Sequence, residues 1–253
     1  MRLKNKTILI VGASSGIGHR LALELSHFQN RIVVFARRDP LLNHLAAEIR
    51  ANGSRALVIK GDALDKNSAK AAVIQTMNAF GNIEAAVLNV GDGPPLNMSE
   101  ATADDISRNM DINYISLVNF MVPLIVQMKK QANGLIVHTN SLAGFLGLPM
   151  QGPYSAAKAA CRILMDTCRR ELKSSGIKFV SVYPGFVATQ RVARDGLPSP
   201  FEITEQKAAQ HIFRAMEKEK SDYLFPFATA NLIRLALILP KPLVSWVLKK
   251  AVP

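Results

Sequence analysis

The sequence predicts an α/β fold in which a mostly parallel, doubly wound sheet of seven strands is covered by helices on both faces. Short apolar runs of strand length alternate with longer segments of helical periodicity along the 253 residues, which is the order that strand–helix–strand units produce. The first apolar run also ends in a glycine-rich turn that leads directly into a helical pattern. Right-handed crossovers between such units make neighbouring strands parallel, so one domain is expected.

The first half of the chain contains four predicted strands and the helices between them. Apolar runs of five or six residues predict strands at 7–11, 31–36, 55–60 and 84–89. Amphipathic spacing predicts helices at 21–28, 41–50 and 68–80, the second of which is ended by Asn52 and Gly53.

The second half continues the alternation to an edge strand. Thr102 and Asp105 have the spacing of a capping box that opens a long helix, 104–130. Further strands are predicted at 135–140, 178–183 and 223–225, with helices at 155–174 and 204–218. The segment 186–202 is interrupted by Gly and Pro, and we expect it to form a mobile flap.

The glycine-rich turn after the first strand predicts a pyrophosphate site. Glycines let the main chain approach a ligand closely, and the free N–H groups of a helix N-terminus attract anions. A strand precedes the turn and a helix follows it, which favours a nucleotide over a tight turn without a ligand. The predicted contacts are Gly12, Ser14, Ser15, Gly16, Ile17 and Gly18.

The end of the second strand indicates which dinucleotide is bound. An acidic residue there binds the ribose 2′-hydroxyl, whereas an arginine accommodates a 2′-phosphate. Ala36 supplies no carboxylate and Arg37 offers a planar donor suited to phosphate, so NADP(H) is preferred over NAD(H). Arg38 fits better as a solvated side chain. At the end of the third strand, Asp62, followed by Ala63, is placed either to accept from an adenine amino group or to cap the next helix.

The chemistry is predicted at Ser141, Tyr154 and Lys158. Tyr154 and Lys158 are four residues apart, so on a helix they lie on one face. An ammonium beneath a phenol favours the phenolate. This suits Tyr154 to give a proton to a carbonyl oxygen that Ser141 holds by a hydrogen bond. Asn113 falls inside the long helix, either as a satisfied interior amide or as a residue that bends the helix and holds a water near Lys158.

Composition limits the partners and the compartment. The net charge of +12 favours an anionic ligand or an acidic membrane surface, or reflects a basic, solvated surface. The basic residues are dispersed without interleaved aromatics, so nucleic acid is not expected. Cys161 and Cys168 lack the spacing of a disulfide framework or a zinc site, and no signal peptide is indicated. We therefore expect a cytoplasmic protein without a metal.

The ordered motifs resemble the short-chain dehydrogenase/reductase family across about residues 6–225. The matching residues are Gly12-x-x-x-Gly16-x-Gly18, Asn89-Val-Gly91, Asn113, Ser141, Tyr154-x-x-x-Lys158 and Pro184-Gly185. The resemblance implies a Rossmann-type fold and a catalytic tetrad of Asn113, Ser141, Tyr154 and Lys158, with Tyr154 and Lys158 also bound to the nicotinamide ribose. Further implied cofactor contacts are Asn89, Gly91, Pro184, Gly185, Val187 and Thr189.

Three positions depart from the family's pattern: Val11, Leu88 and Val90 stand where the family usually has threonine, asparagine and alanine. They lie at structural positions of the motifs, so they bear on stability more than on catalysis. The resemblance also implies a homodimer or homotetramer, packed through the helices 104–130 and 155–174.

The C-terminal segment 228–253 is predicted to extend a catalytic domain of residues 1–227. Its apolar runs are broken by Arg234 and by Pro240-Lys241-Pro242, so it is too short and interrupted to span a membrane. Two short helices, 228–239 and 243–250, are expected instead. They suit peripheral contact with an anionic membrane through 228–250, or a substrate lid or oligomer interface.

These features predict an NADPH-dependent reductase or dehydrogenase of a lipophilic ketone or alcohol. An apolar C-terminal segment next to the flap would extend an apolar pocket, which favours a lipophilic substrate. The alternative is a catalytically idle protein of the same fold that serves as a membrane-peripheral or scaffolding protein.

Overall fold

In the computed structural model, which describes residues 1–195 and 199–251, seven strands form one parallel sheet. The strands are β1 (Thr7–Val11), β2 (Arg31–Ala36), β3 (Arg55–Lys60), β4 (Ala85–Leu88), β5 (Gly134–Thr139), β6 (Ile177–Pro184) and β7 (Asp222–Phe225). Their spatial order is β3-β2-β1-β4-β5-β6-β7, and every neighbouring pair is parallel. The predicted α/β class, the parallel sheet and the strand number are confirmed.

Ten α-helices connect or follow these strands within the described residues. They are α1 (Gly16–Ser26), α2 (Asp39–Ala51), α3 (Lys66–Phe80), α4 (Ala103–Met110), α5 (Ser116–Gln131), α6 (Gly152–Glu171), α7 (Gln190–Asp195), α8 (Glu205–Glu217), α9 (Phe227–Ile238) and α10 (Lys241–Ala251). Short 3-10 turns at Leu142–Gly144 and Lys173–Ser175 and a π turn at Asp111–Ile115 complete the list.

The central strands are buried on both faces, which is why they read as continuous apolar runs. In β1, Ile8 and Ile10 belong to a core cluster shared with α1, α2 and α8. Leu9 and Val11 point to the other face and join a cluster shared with α3, α5 and α6. Successive residues of a strand face opposite sides of the sheet, so one apolar strand anchors helices on both.

The strand order reverses between β1 and β4. The chain first moves outward from β1 through β2 to β3 and then returns to β4 on the other side of β1. Ligands of open parallel sheets bind at such a reversal, outside the carboxyl ends of the strands. The glycine-rich turn after β1 and Asn89 after β4 both lie there.

Helix caps account for two boundaries that the sequence indicated. Thr102 and Asp105 form the predicted capping box at the start of α4. The carboxylate that caps α3 is Asp65, which accepts from the main-chain N–H groups of Asn67 and Ser68. Asp62, the cap considered from sequence, lies one turn earlier and bonds Leu64 instead.

The predicted long helix 104–130 is present as 103–131, and a π turn that was not predicted interrupts its regular α-helical geometry. The π turn separates α4 from α5 and contains Asn113. The whole segment 103–131 is long and apolar enough to cross a membrane by length and composition alone. Within it, however, α5 buries Leu117, Phe120 and Leu124 against the sheet, as expected of a core helix.

The segment 186–202 contains the short helix α7, and its residues 196–198 lie outside the described residues. Before α7, Val187 is buried and forms a single parallel bridge with Ile203. The two C-terminal helices confirm the predicted pair, with α9 starting directly after β7.

Candidate active site

The turn after β1 brings the main chain close to the helix that follows. Gly12 and Gly16 have positive φ angles of 84° and 62°, which only glycine adopts without strain. A Cβ at Gly18 would lie 2.3 Å from the carbonyl oxygen of Gly12, so α1 packs directly on the turn. The amide of Asn89 donates to that same oxygen at 3.3 Å and thereby links β4 to the turn.

Arg38 reaches across to this turn. Its guanidinium donates to Ser14 Oγ through Nε at 3.1 Å and through Nη2 at 2.8 Å, and to Ser15 Oγ at 2.6 Å. The sequence assigned the phosphate-binding role to Arg37 and left Arg38 as a solvated residue. In the structure both arginines are exposed, and Arg38 is the one whose side chain contacts the glycine-rich turn, through Ser14 and Ser15.

The loop after β3 is fixed by two local contacts. Asp62 Oδ1 accepts from the N–H of Leu64 at 3.0 Å. The buried Ala63 has its carbonyl oxygen bonded by the amide of Asn119 on α5, at 3.0 Å. Asp62 therefore stands at the carboxyl edge of the sheet with one oxygen already engaged, and its contact with adenine stays a prediction.

Tyr154 and Lys158 lie on one face of α6, one turn apart. Pro153 occupies the first turn of this helix, where its missing N–H costs nothing. The Nζ atom of Lys158 is 5.6 Å from the centre of the Tyr154 ring and donates to the carbonyl oxygen of Thr139 at 3.2 Å. Lys158 is 2% exposed, so a cation is buried beneath a half-buried phenol.

Asn113 joins the π turn to the loop after β4. Its amide nitrogen donates to the carbonyl oxygens of Asn109, at 3.0 Å, and Asp92. Its Oδ1 accepts from the N–H of Asp92 at 3.2 Å. A Cβ at Gly91 would lie 3.0 Å from Asn113 Oδ1 and 3.1 Å from Lys158 Nζ. Asn113 is thus a satisfied buried amide in a locally distorted helix, close to Lys158.

The carbonyl oxygen of Asn113 is also engaged, because the thiol of Cys161 donates to it at 3.3 Å. Cys161 is fully buried on α6. Burial raises the pKa of this thiol to about 11, so it stays protonated at neutral pH and retains the hydrogen that it donates.

Ser141 follows β5 at the carboxyl edge. Its Oγ accepts from the N–H of Ala143 at 3.1 Å and caps the 3-10 turn. The O–H hydrogen remains able to donate to a substrate oxygen. The neighbouring Asn140 is 2% exposed, accepts from the N–H of Ser141 at 2.8 Å and donates to the carbonyl oxygen of Lys158 at 3.1 Å.

The loop after β6 meets both the glycine-rich turn and the C-terminal helices. A Cβ at Gly16 would lie 3.6 Å from Thr189 Cγ2, so the beginning of the flap faces the predicted pyrophosphate site. The N–H of Gly185, which follows Pro184, donates to Phe225 at 2.7 Å. The predicted contacts of this loop therefore lie along the same edge as the tetrad.

The family model for the short chain dehydrogenase matches residues 6–197. The chain belongs to this family. An "uncharacterized oxidoreductase" of Myxococcus xanthus is 31% identical to this short-chain dehydrogenase over 94% of each chain. A 3-oxoacyl-(acyl-carrier-protein) reductase of Staphylococcus epidermidis is 31% identical, over 73% of this chain and 76% of the relative.

Solved structures show the same fold. A short-chain dehydrogenase/reductase of Burkholderia phymatum in complex with NAD superposes with a TM-score of 0.86, covering 93% of this chain and 94% of that chain at 21% identity. A relative from Mycobacterium marinum gives a TM-score of 0.82 at 24% identity, over 88% and 94%. Together with these structures of the same fold, the family model and the oxidoreductase relatives identify the protein as an NAD(P)-dependent oxidoreductase of the short-chain dehydrogenase family.

The residues at this edge of the sheet suit the binding of a dinucleotide. The glycine-rich turn exposes main chain at the N-terminus of α1, where anions are favoured. The serine hydroxyls of Ser14 and Ser15, together with Arg38, supply donors and a positive charge beside it.

Two features of this short-chain dehydrogenase site were missed from the sequence. Gly93 was assigned no role from the sequence, yet a Cβ there would lie 2.4 Å from Cδ2 of Tyr154. Asn140 had been seen only as the end of a strand. The contacts of Gly93 with Tyr154 and of Asn140 with Lys158 leave no local signal, because the two residues of each pair are distant in the sequence.

His138 is the third missed residue. It is 1% exposed, and neither ring nitrogen has a hydrogen-bond partner within the described part of the chain. Burial, and secondarily the charge of Lys158, hold the pKa of His138 well below its usual range. The imidazole is therefore neutral at physiological pH.

Proposed function

We propose that this short-chain dehydrogenase is an NADPH-dependent reductase of a lipophilic ketone, or the corresponding alcohol dehydrogenase, with Tyr154 as the general acid and base. The observation that carries the proposal is the pairing of Tyr154 with the buried Lys158 beside Ser141 at the carboxyl edge of the sheet.

In the direction of reduction, Tyr154 donates its phenolic proton to the carbonyl oxygen. The cofactor, when bound, supplies the hydride. Ser141 donates a hydrogen bond to the same oxygen and aligns it. The Lys158 cation lies 5.6 Å from the Tyr154 ring and stabilises the phenolate that remains. In the reverse direction the phenolate accepts the alcohol proton.

The NADPH preference is supported by positive charge beside the glycine-rich turn. Arg38 is held there by Ser14 and Ser15, and Arg37 precedes it at the end of β2. We infer that Arg38 is the main donor to a 2′-phosphate, and that Arg37 assists. The remaining predicted contacts, including Asp62, Gly91, Pro184 and Val187, are retained as part of the proposal.

The lipophilic substrate is supported by the apolar surroundings of the loop after β6. A Cβ at Gly185 would lie 3.2 Å from Thr229 Cγ2 of α9, so the apolar C-terminal helices begin beside the site. A Staphylococcus epidermidis relative is a 3-oxoacyl reductase by name. We propose a ketone on an apolar chain or ring for this protein as well.

We also propose a cytoplasmic homodimer or homotetramer in which residues 1–227 form the catalytic unit and 228–253 extend it. Exposed apolar side chains lie on the two helices that the family resemblance indicated: Val122 and Val126 on α5 and Ile163 on α6. Exposed apolar side chains that form a contiguous patch usually mark a surface that contacts another protein or a membrane.

The test is a turnover screen of ketones and alcohols with NADPH and NADH, using wild type and Tyr154→Phe. Loss of the phenolic proton should lower kcat by roughly 10²–10⁴-fold while NADPH binding is kept. Tyr223→Phe, which removes a phenol on β7 whose hydroxyl contacts His211, is the control. Tight NADPH binding by the wild type without turnover of any substrate would instead favour a catalytically idle scaffold.

A further inference from the structure

The C-terminal helices turn apolar side chains toward solvent. Of the residues of α9, Ala230 is the buried one. Phe227 is 79% exposed and Ile238 is 82% exposed. In these two helices, five further large apolar side chains are between two-fifths and three-fifths exposed: Leu232, Leu235, Leu237, Leu243 and Trp246. A helix that merely covers a soluble core shows the opposite pattern, with polar residues outward.

The two most exposed residues of α9, Phe227 and Ile238, share one face with Leu235, and the exposed Leu232 and Leu237 lie on either side of that face. Phe227, Leu235 and Ile238 are separated by eight and three residues, which places them within about 100° of one another on a helix of 3.6 residues per turn. The twelve residues of α9 rise only ~18 Å, short of the ~30 Å hydrocarbon core of a bilayer. A helix of this length can lie in a membrane surface but cannot cross one.

The charge of the C-terminal segment distinguishes between two partners that this surface could contact, a second copy of the chain and a lipid membrane. Residues 226–253 contain no Asp or Glu, and their ionisable side chains are those of Arg234, Lys241, Lys249 and Lys250. In a symmetric dimer, this surface of one copy would contact the same surface of the other copy. The basic side chains would then face each other, and the segment has no carboxylate to balance them. An anionic lipid surface supplies the opposite charge.

We propose that α9 and α10 dock on the surface of an anionic phospholipid bilayer. The docking surface consists of Phe227, Leu232, Leu235, Ile238, Leu243 and Trp246, with Arg234 and Lys241 beside them. Apolar side chains enter the boundary between headgroups and acyl chains, while the basic side chains contact the phosphates. Tryptophan suits this boundary because its ring is amphipathic.

Docking in this way places the substrate entrance at the lipid surface. The helix α9 starts at the carboxyl end of β7, and its Thr229 packs beside Gly185. A lipophilic ketone dissolved in the bilayer would then reach the site without crossing water. This consequence rests on the proposed function, whereas the docking itself does not.

Membrane binding can be followed by intrinsic tryptophan fluorescence, because Trp246 is the single tryptophan of the sequence. We expect vesicles of phosphatidylcholine with phosphatidylglycerol to shift its emission to the blue and to co-sediment the full-length protein. Vesicles of phosphatidylcholine alone should bind more weakly, and added salt should reduce binding to the anionic vesicles. No shift and no co-sedimentation with anionic vesicles would overturn the proposal.

Variants separate lipid contact from general surface effects. The double variant Leu235→Glu with Ile238→Glu should weaken vesicle binding about tenfold or more. Arg234→Gln with Lys241→Gln removes two of the four basic side chains of this segment and should reduce the preference for anionic vesicles. Ile74→Glu, at an apolar site on α3 that is about as exposed as Leu235, is the control and should bind as wild type. A smaller oligomeric mass of the lipid-free double glutamate variant would overturn the proposal, because the surface would then contact a second copy.

Measuring carbonyl turnover with the same preparations tests the proposed function independently of vesicle binding. Vesicle binding without turnover supports the docking surface and contradicts the reductase. Turnover without vesicle binding contradicts the docking surface and leaves the reductase in place.

Discussion

Asn140 donates a hydrogen bond from its side-chain amide to the main-chain oxygen of Lys158, across 3.1 Å, while its Oδ1 accepts from the N–H of Ser141. One buried amide therefore joins the end of β5 to the middle of α6. Two members of the proposed tetrad are held in register by a residue that need not touch the substrate.

We predict that Asn140→Ala lowers both activity and stability. Unpaired buried groups should cost roughly 1–3 kcal/mol of unfolding free energy, and the loosened geometry should lower kcat about tenfold or more. Urea unfolding and steady-state kinetics measure these effects. Asn43→Ala removes an exposed amide bonded to Asp39 and should change neither quantity appreciably; equal effects in both variants would contradict the positioning role.

Gly93 provides a separate test of the position of the Tyr154 ring. A methyl group there would meet Cδ2 of the ring at 2.4 Å, so Gly93→Ala must displace either the loop or the phenol. We expect kcat to fall by roughly 10²-fold, as for a ~1 Å misplacement, with NADPH affinity little changed. Gly147→Ala is the control, because a Cβ at Gly147 has no atom within 4 Å. Full activity of Gly93→Ala would show that the ring is free to move.

The phosphate assignment is tested by comparing two adjacent arginines. Arg38→Ala should weaken NADPH binding by roughly 10–100-fold, the value of a charge-assisted hydrogen bond, and should leave NADH binding nearly unchanged. Arg37→Ala should have the smaller effect, since Arg38 is the residue that contacts Ser14 and Ser15. Fluorescence titration with both cofactors measures the difference. A larger loss in Arg37→Ala would restore the assignment made from sequence.

His138 predicts a pH dependence of stability. Because its pKa is depressed in the folded protein, the unfolded chain binds the additional proton as the pH falls below ~6.5, the ordinary histidine value. Stability is therefore lost on acidification, by up to about 1.4 kcal/mol per pH unit. His138→Leu removes this proton uptake.

The measurement is urea unfolding of wild type and His138→Leu at neutral and mildly acidic pH. The free-energy difference between the two proteins should move in favour of the variant as the pH falls. His27→Asn, at an exposed position, should follow the wild type. Parallel pH curves for wild type and His138→Leu would contradict the assignment.

Much of the fold follows from local sequence. The strands β1 and β2 were predicted to the residue because buried parallel strands are continuous apolar runs, and the capping box at Thr102 marked the start of α4. The π turn was not predicted, because asparagine within a helix is compatible with both a regular and a distorted turn. The order of strands likewise depends on long-range pairing that no local pattern encodes.

The geometry of the candidate site was predicted where spacing alone determines it, as for Tyr154 and Lys158 on one face of α6. It was not predicted where the contact depends on three-dimensional packing. The choice between Arg37 and Arg38 depends on which side chain turns toward α1. The packing of Gly93 on Tyr154 joins a loop residue and a helix residue that are 61 positions apart in the sequence.

The π turn at Asp111–Ile115 has a consequence for insertions and deletions. A π turn holds one more residue than a regular turn, so it offsets the faces of α4 and α5 by about 100°. Removing one residue there would let α4 and the beginning of α5 merge into one regular helix and would turn Asn113 away from the loop at Asp92. A chain shortened in this way would gain a more regular helix but lose the proposed catalytic geometry. At the π turn, helix regularity therefore favours one residue fewer, whereas activity favours the present number of residues.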